Sequence, residues 1–292
     1  MDGLSARQMT ASAIPAESAT LLDLHADMSL SARQGLALAD VALGSRLWRL
    51  AWTLGWLDIK LRYRGSLLGP FWLTMSTGVM VGALGLLYAG LFHTNLHDYL
   101  PYLSLSLVLW AFLGAVVSES CATFTEAEAI IRSVRMPFFL FSLRIVIRNV
   151  LVLAHNILVI IVVFALLSTW PGWHMVLALP GILLWLLDAL ALSLLLGSFC
   201  ARFRDIQPIV NSVMQIAFFM TPVIWKPEQA GGHFVLLQPN PFFDLLQVVR
   251  APLLGQSPGT VTWLAAALYS VGLCAIAWLF FARARGRVAF WL

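Results

Sequence analysis

The sequence predicts an all-α integral membrane protein. Six transmembrane helices follow an amphipathic interfacial helix, and short re-entrant or gate helices precede the last span. Three observations predict this. Of 292 residues, 60% are hydrophobic and only 11% charged, with a mean hydropathy of +0.86. A soluble domain carries about 25% charged residues, so the chain holds about half the charge that a water-facing surface needs. Six stretches then approach the roughly 20 apolar residues required to cross a bilayer: 69–92, 99–120, 149–168, 175–199, 209–225 and 259–281. Finally, all of the 18 Lys and Arg except Lys226 and Arg250 fall on one side of that arrangement. The positive-inside rule makes that side cytoplasmic, with both termini there, as six crossings also require.

Taken in order, residues 1–43 mix Asp2, Glu17, Asp23, Asp27 and Asp40 with small residues and lack a continuous apolar run. They read as a cytoplasmic extension rather than a cleaved signal, with no further role assigned. Residues 44–66 form one helix. Leu47, Leu50, Leu54, Leu57 and Leu61 stack along one stripe, with Trp48, Trp52 and Trp56 on another. Arg46, Arg49, Lys60 and Arg64 lie between them, which suits a helix in the membrane surface; a cytosolic packing helix is the alternative.

Between the second and third spans, Thr125-Glu126-Ala127-Glu128 reads as a capping box opening a helix over 125–135 that stops before Pro137. Ile130, Ile131 and Val134 on it need a partner, either this chain's own helix ends or another subunit. The stretch 241–254, with Asp244, Arg250 and two prolines, is too short to span. The fifth span, the shortest, ends at Thr221-Pro222, where its outer end becomes irregular.

Several chemistries are excluded. The two lysines, Lys60 and Lys226, fit no phosphate-cradling GxxxxGK[ST] loop, so the chain carries no ATP site of that type. No HExxH pattern and no serine nucleophile with an in-membrane histidine occur, and Cys121, Cys200 and Cys274 make no CxxC pair. Asp188 lies mid-way along the fourth span, where a carboxylate is costly unless paired. It reads either as a packing partner of polar groups such as Asn156 or as a lining or coupling residue.

The segment Lys60-Leu61-Arg62-Tyr63-Arg64-Gly65-Ser66-Leu67-Leu68-Gly69-Pro70-Phe71-Trp72 resembles the start of the first span in ABC-2 type polysaccharide export permeases. These are the membrane subunits of O-antigen, capsule and teichoic acid exporters. Arg202-Phe203-Arg204-Asp205, followed by Thr221-Pro222-Val223, and Asn240-Pro241 through Arg250 resemble two further blocks of that family. The resemblance covers about residues 44–285, with the transmembrane domain at 69–285.

The resemblance implies a homodimer with two copies of a separate ATPase, which holds the ATP and Mg; this chain itself needs no cofactor and no nucleic acid. Together they would move a lipid-linked polysaccharide across the plasma membrane, the inner membrane in a two-membrane cell. Residues 125–135, through Thr125, Glu128, Ile130, Ile131, Val134 and Arg135, would be the coupling helix, and 240–254 the outer gate helices. The first and fifth spans would line the channel. Sugar rings stack on aromatic faces, so Trp72, Tyr88, Phe92, Phe218, Phe219 and Trp225 are candidate lining residues; lipid and the helix core are the other places for them. Arg46, Arg49, Arg62 and Arg64 lie where a carrier-lipid phosphate would sit, since guanidinium grips phosphate bidentately; anionic lipid is the alternative ligand. The competing reading is a proton-coupled secondary transporter using Asp188, Glu119 and His155.

Overall fold

The computed structural model describes residues 29–65, 69, 71–228 and 239–292. Residues 1–28 of the extension, with Ser66, Leu67, Leu68 and Pro70 of the first motif, lie outside the described residues. The described residues form helices without strands. In chain order these are α1 (Leu30–Arg46), α2 (Trp48–Arg62), α3 (Phe71–Leu91), α4 (Leu96–Cys121), α5 (Glu128–Ser133), α6 (Phe138–Leu167), α7 (Ala178–Arg202), α8 (Ile206–Met220), α9 (Pro241–Leu253) and α10 (Thr260–Trp291). A 3-10 turn, Gly172–Leu177, leads into α7.

Among the described residues, five helices are long and apolar enough to cross a membrane: α3, α4, α6, α7 with its leading turn, and α10. The sixth expected crossing, 209–225, is realised as α8, which has 15 residues. At 1.5 Å per residue it reaches about 22 Å, short of a hydrocarbon core of about 30 Å. The stop is local: Thr221 is extended, at φ −92 and ψ 138, because the following Pro222 excludes it from the helical region.

Other boundaries move outward. α6 starts at Phe138 instead of 149, and α10 runs to Trp291 instead of 281. Arginines end an apolar stretch, but they are good helix formers and do not end a helix.

α4 is the central element, with 78% of its apolar window buried against 17% for α3. It touches α3, α6, α7, α8 and α9. Phe112 of α4 stacks on Trp185 of α7 at 5.7 Å between ring centres, and Trp110 packs against Phe218 and Phe242 at 5.8 and 5.5 Å.

The N-terminal region departs from expectation. Residues 30–43, given no role by the sequence, are helical, and the expected single helix 44–66 breaks at Leu47 into α1 and α2. Both pack on α6. The contact stripe on α2 is Ala51, Gly55 and Ile59 rather than the leucines: Leu57 and Leu61 are exposed, as are Trp48, Trp52 and Trp56. Small residues win because they let helix axes approach. A Cβ at Gly55 would lie 3.1 Å from the Arg144 carbonyl oxygen, and one at Gly44 would lie 2.8 Å from Phe139 Cβ.

The stretch expected to hold gate helices is one helix, α9. Asn240 caps it by accepting the Phe242 N–H at 3.0 Å. Pro241 takes the first helical position, where no N–H is needed, and Pro252 sits in the last turn.

Candidate functional site

The end of the bundle carrying α1 and α2 is rich in arginine, and its acids gather those arginines into two junctions. In the first, Asp40 of α1, almost fully buried, accepts the N–H groups of Phe138 and Phe139 at 3.2 and 3.0 Å. It thereby caps α6, whose own N-cap, Pro137, has no side-chain donor or acceptor to offer. Arg285 near the end of α10 donates to the same carboxylate at 2.9 Å, which ties three helices at one acid.

The second junction joins α2, α4 and α6. Arg144 grips Asp58 bidentately, Nε to Oδ2 at 2.7 Å and Nη2 to Oδ1 at 2.5 Å. Arg148, 3% exposed, donates from Nε to Glu119 at 2.9 Å and from Nη1 to Glu126 at 3.1 Å. Glu119 also accepts Asn149 at 2.8 Å and Arg62 at 3.1 Å. The three carboxylates of Asp58, Glu119 and Glu126 thus balance the three guanidinium groups of Arg62, Arg144 and Arg148. A buried charge needs this balance, since removing one partner leaves an uncompensated ion.

Glu126 stands just before α5, the expected coupling helix. The capping box predicted there does not form. The Thr125 hydroxyl donates to the Ala122 carbonyl at 3.2 Å, and Ala127 takes the cap position without a side-chain bond. Backbone turns continuing from α4 hold residues 122–127, so the helix opens at Glu128 rather than 125. Glu128 pairs instead with Arg132 one turn on, at 2.8 Å. Ile130 and Ile131 are half-buried against this chain's own Phe124–Phe139 cluster, whereas Arg132, Ser133, Val134 and Arg135 stay exposed. Beside them a cavity of about 280 Å³ is lined by Cys121, Thr125, Glu128, Cys200, Arg204 and Gln207.

At the opposite end a single arginine organises the chain. Arg250 of α9, 1% exposed, donates from Nη1 to the Pro222 carbonyl at 2.6 Å, the Ser106 hydroxyl at 2.9 Å and the Tyr102 hydroxyl at 2.9 Å. Gln247 accepts its Nε and Nη2 at 3.2 and 2.8 Å. Burial pulls the guanidinium below its usual pKa, and Tyr102 opposes that shift. Tyr102 shares its hydroxyl proton between the Pro222 and Trp225 carbonyls, Tyr99 donates to Ile224, and Asn240 donates to Thr221. Three carbonyls of the irregular run 221–225 after α8, those of Pro222, Ile224 and Trp225, are therefore satisfied by side chains of α4 and α9, which is how non-helical backbone is tolerated away from water. A cavity of about 370 Å³ opens alongside, lined by His97, Asp98, Lys226, Gln247, Arg250 and Gln256 among others.

The six expected lining aromatics divide. Trp72 and Phe219 are exposed, at 52% and 72%. Tyr88 and Phe92 stack on each other at 5.5 Å against α4, Phe218 packs on Trp110, and Trp225 donates to the Phe219 carbonyl at 3.4 Å. α3 and α8 themselves carry no charged residue, and α8 buries only Met214.

Sequence reading missed Asn211 and Gln215, which stand exposed one turn apart on α8 with no hydrogen-bond partner in this chain among the described residues. Two amides one turn apart in an apolar stretch were the signal. Arg250 was named in the block 240–250 but given no role; a lone arginine on the side poor in basic residues was the clue.

The expected Asp188–Asn156 contact is absent. Ser270 of α10 donates to Asp188 at 2.8 Å, and Asn156 meets Thr77 at 3.4 Å. Glu119 belongs to the arginine junction, and the ring of His155 bonds the Leu151 carbonyl at 2.7 Å, so the three residues of the proton-coupled reading have separate partners. Arg46, Arg49 and Arg64 are exposed, but Arg62 is engaged by Glu119. Among the described residues no three His, Cys, Asp or Glu side chains gather as a metal site.

Relatives include the O-antigen export system permease protein RfbA of Myxococcus xanthus, 25% identical over 197 residues, which covers 66% of this chain and 76% of the relative. The protein of the same name from Klebsiella pneumoniae is 20% identical over 191 residues, covering 65% and 74%. Residues 49–254, from α2 to the end of α9, match the family described as ABC-2 type transporter. Its apolar helices make it a multi-pass membrane protein, and the chain belongs to the ABC-2 type transporter family.

Proposed function

We propose that this chain is the membrane subunit of an exporter of lipid-linked polysaccharide, of O-antigen or capsule type. It works as a homodimer with two separate ATPase subunits, in the plasma membrane or the inner membrane of a two-membrane cell. The basic end faces the cytoplasm, α2 lies along the inner headgroups, and α8 with residues 221–225 completes the sixth crossing, so both termini are cytoplasmic.

One observation carries the reading. α8 buries a single residue and presents Asn211 and Gln215 without partners. Amides facing hydrocarbon are costly, so this face needs water or polar groups beside it. Two copies apposed through α3 and α8 would enclose such a path, uncharged along both helices, with Trp72 and Phe219 open to it. Hydroxyl-rich sugars suit amides and aromatic faces better than charges. The names of the two relatives support the same cargo.

Force enters through α5. Its exposed end, Arg132 and Ser133, with Val134 and Arg135 just beyond it, is the docking surface for the ATPase, while Ile130 and Ile131 fix α5 to this chain. The test is Val134→Asp in cells that depend on this chain for surface polysaccharide. Surface glycan is lost while the protein remains in the membrane, and the ATPase no longer co-purifies. Normal glycan and normal co-purification would remove α5 from the coupling role.

A further inference from the structure

The α2–α4–α6 junction contains a path from the membrane surface to α5. Arg62, near the end of α2, has its side chain 45% exposed, and so has Glu126 at 46%, whereas Arg148 between them is 4% exposed. Glu119 divides its two oxygens: Oε1 takes Arg62, and Oε2 takes Arg148 and Asn149. Arg148 in turn holds Glu126, two residues before α5. Four side chains therefore run in series, Arg62, Glu119, Arg148 and Glu126, with alternating charge, and Asp58 branches from Arg148 at 3.5 Å. Lys60 and Arg64 flank Arg62 and are exposed, without an acid partner among the described residues.

Both ends of this series are partly solvated, and its middle is not. The outer pair, Arg62 with Glu119, is partly solvated and weakly held, as exposed pairs are. The middle pair, Glu119 with Arg148, is shielded, and its charges must stay balanced. A phosphate oxyanion competes well for a guanidinium because it accepts two parallel hydrogen bonds. If Arg62 leaves, Glu119 loses one of its two cations and draws harder on Arg148, at the expense of Glu126.

We propose that Arg62 is a phosphate-responsive switch: the phosphate or diphosphate of a lipid, arriving over Lys60 and Arg64, takes Arg62 from Glu119 and loosens Glu126 in front of α5. The bound carrier lipid is thereby reported to the ATPase. This rests on the function proposed above, in which α5 meets the ATPase.

The experiment uses the complex of this chain with its ATPase in phosphatidylcholine vesicles, after co-purification has shown that it assembles. ATP hydrolysis is followed while a polyprenyl diphosphate, phosphatidylglycerol or free pyrophosphate is added. The wild-type complex responds to the polyprenyl diphosphate. Arg62→Gln has its basal rate displaced toward the stimulated one by about two- to fivefold, the worth of an exposed pair, and no longer responds. Glu126→Gln assembles but does not respond, and Arg287→Gln, exposed on α10, responds as wild type does.

A response to phosphatidylglycerol as well keeps the switch and widens its ligand to bulk anionic lipid. A response to free pyrophosphate alone, indifference of the wild type to all three additions, or stimulation undiminished in Arg62→Gln or Glu126→Gln overturns it. Failure of assembly would instead count against the function proposed above.

Discussion

Arg250 Nη1 lies 2.6 Å from the carbonyl oxygen of Pro222, a residue 28 positions earlier. This bond fastens α9 to the point where α8 unwinds. Tyr102→Phe removes the hydroxyl that Arg250 and the 221–225 carbonyls share. Leaving those buried groups short of a partner should cost about 1–3 kcal/mol, read as a lowered melting temperature in detergent. Ser76→Ala, at an exposed hydroxyl bonded only to its own helix, serves as the control. Equal melting of the two variants would show that the latch is not stabilising.

Gly55 and Gly35 should respond oppositely to a methyl group. At Gly55 the new Cβ meets the backbone of α6 at 3.1 Å, whereas nothing lies within 4 Å of it at Gly35. Gly55→Ala should lower stability and push α2 away from Arg144. Gly35→Ala should stabilise α1 by about 0.5–1 kcal/mol through helix propensity. Thermal unfolding of the two variants measures both signs.

Asn211→Leu with Gln215→Leu separates a lipid-facing α8 from a channel-facing one. If these amides line the glycan path, export falls while membrane level and dimer content hold. Were they to face lipid, the apolar pair would be tolerated or improve yield, since each amide removed from hydrocarbon relieves desolvation. Surface glycan normalised to protein level is the readout.

Asp188→Asn keeps the shape of the side chain and its contact with Ser270 while removing the charge. Export should persist, because the carboxylate joins α7 to α10 rather than to His155 or Glu119. Loss of export at normal protein levels, in a strain with an intact ATPase, would restore the proton-coupled reading.

Much of the architecture was legible because it rests on local composition. The apolar segments and the interruption at Thr221-Pro222 are each visible within about twenty residues. Boundaries failed where charged residues stayed helical, as at Arg144 and Arg148 in α6. The capping box failed for a different reason. Thr125 and Glu128 have the right spacing, but turns continuing from α4 already fix their backbone, so the hydroxyl turned to Ala122.

The candidate site was legible only as residue types. Arg62 was expected to meet a carrier-lipid phosphate or anionic lipid, and within this chain it donates to Glu119, 57 positions away. Asp40, in a stretch assigned no role, caps a helix that starts 98 positions later.

The amino-acid order alone decided that lipid is the solvent of this chain and where its long apolar helices lie, because transfer free energy sums over neighbours along the chain. Only the tertiary structure decided which acid meets which arginine, that glycine rather than leucine brings α2 onto α6, and that α8 is left open. Those outcomes depend on how closely helix axes approach, and polar groups buried by that approach must find partners wherever packing brings them.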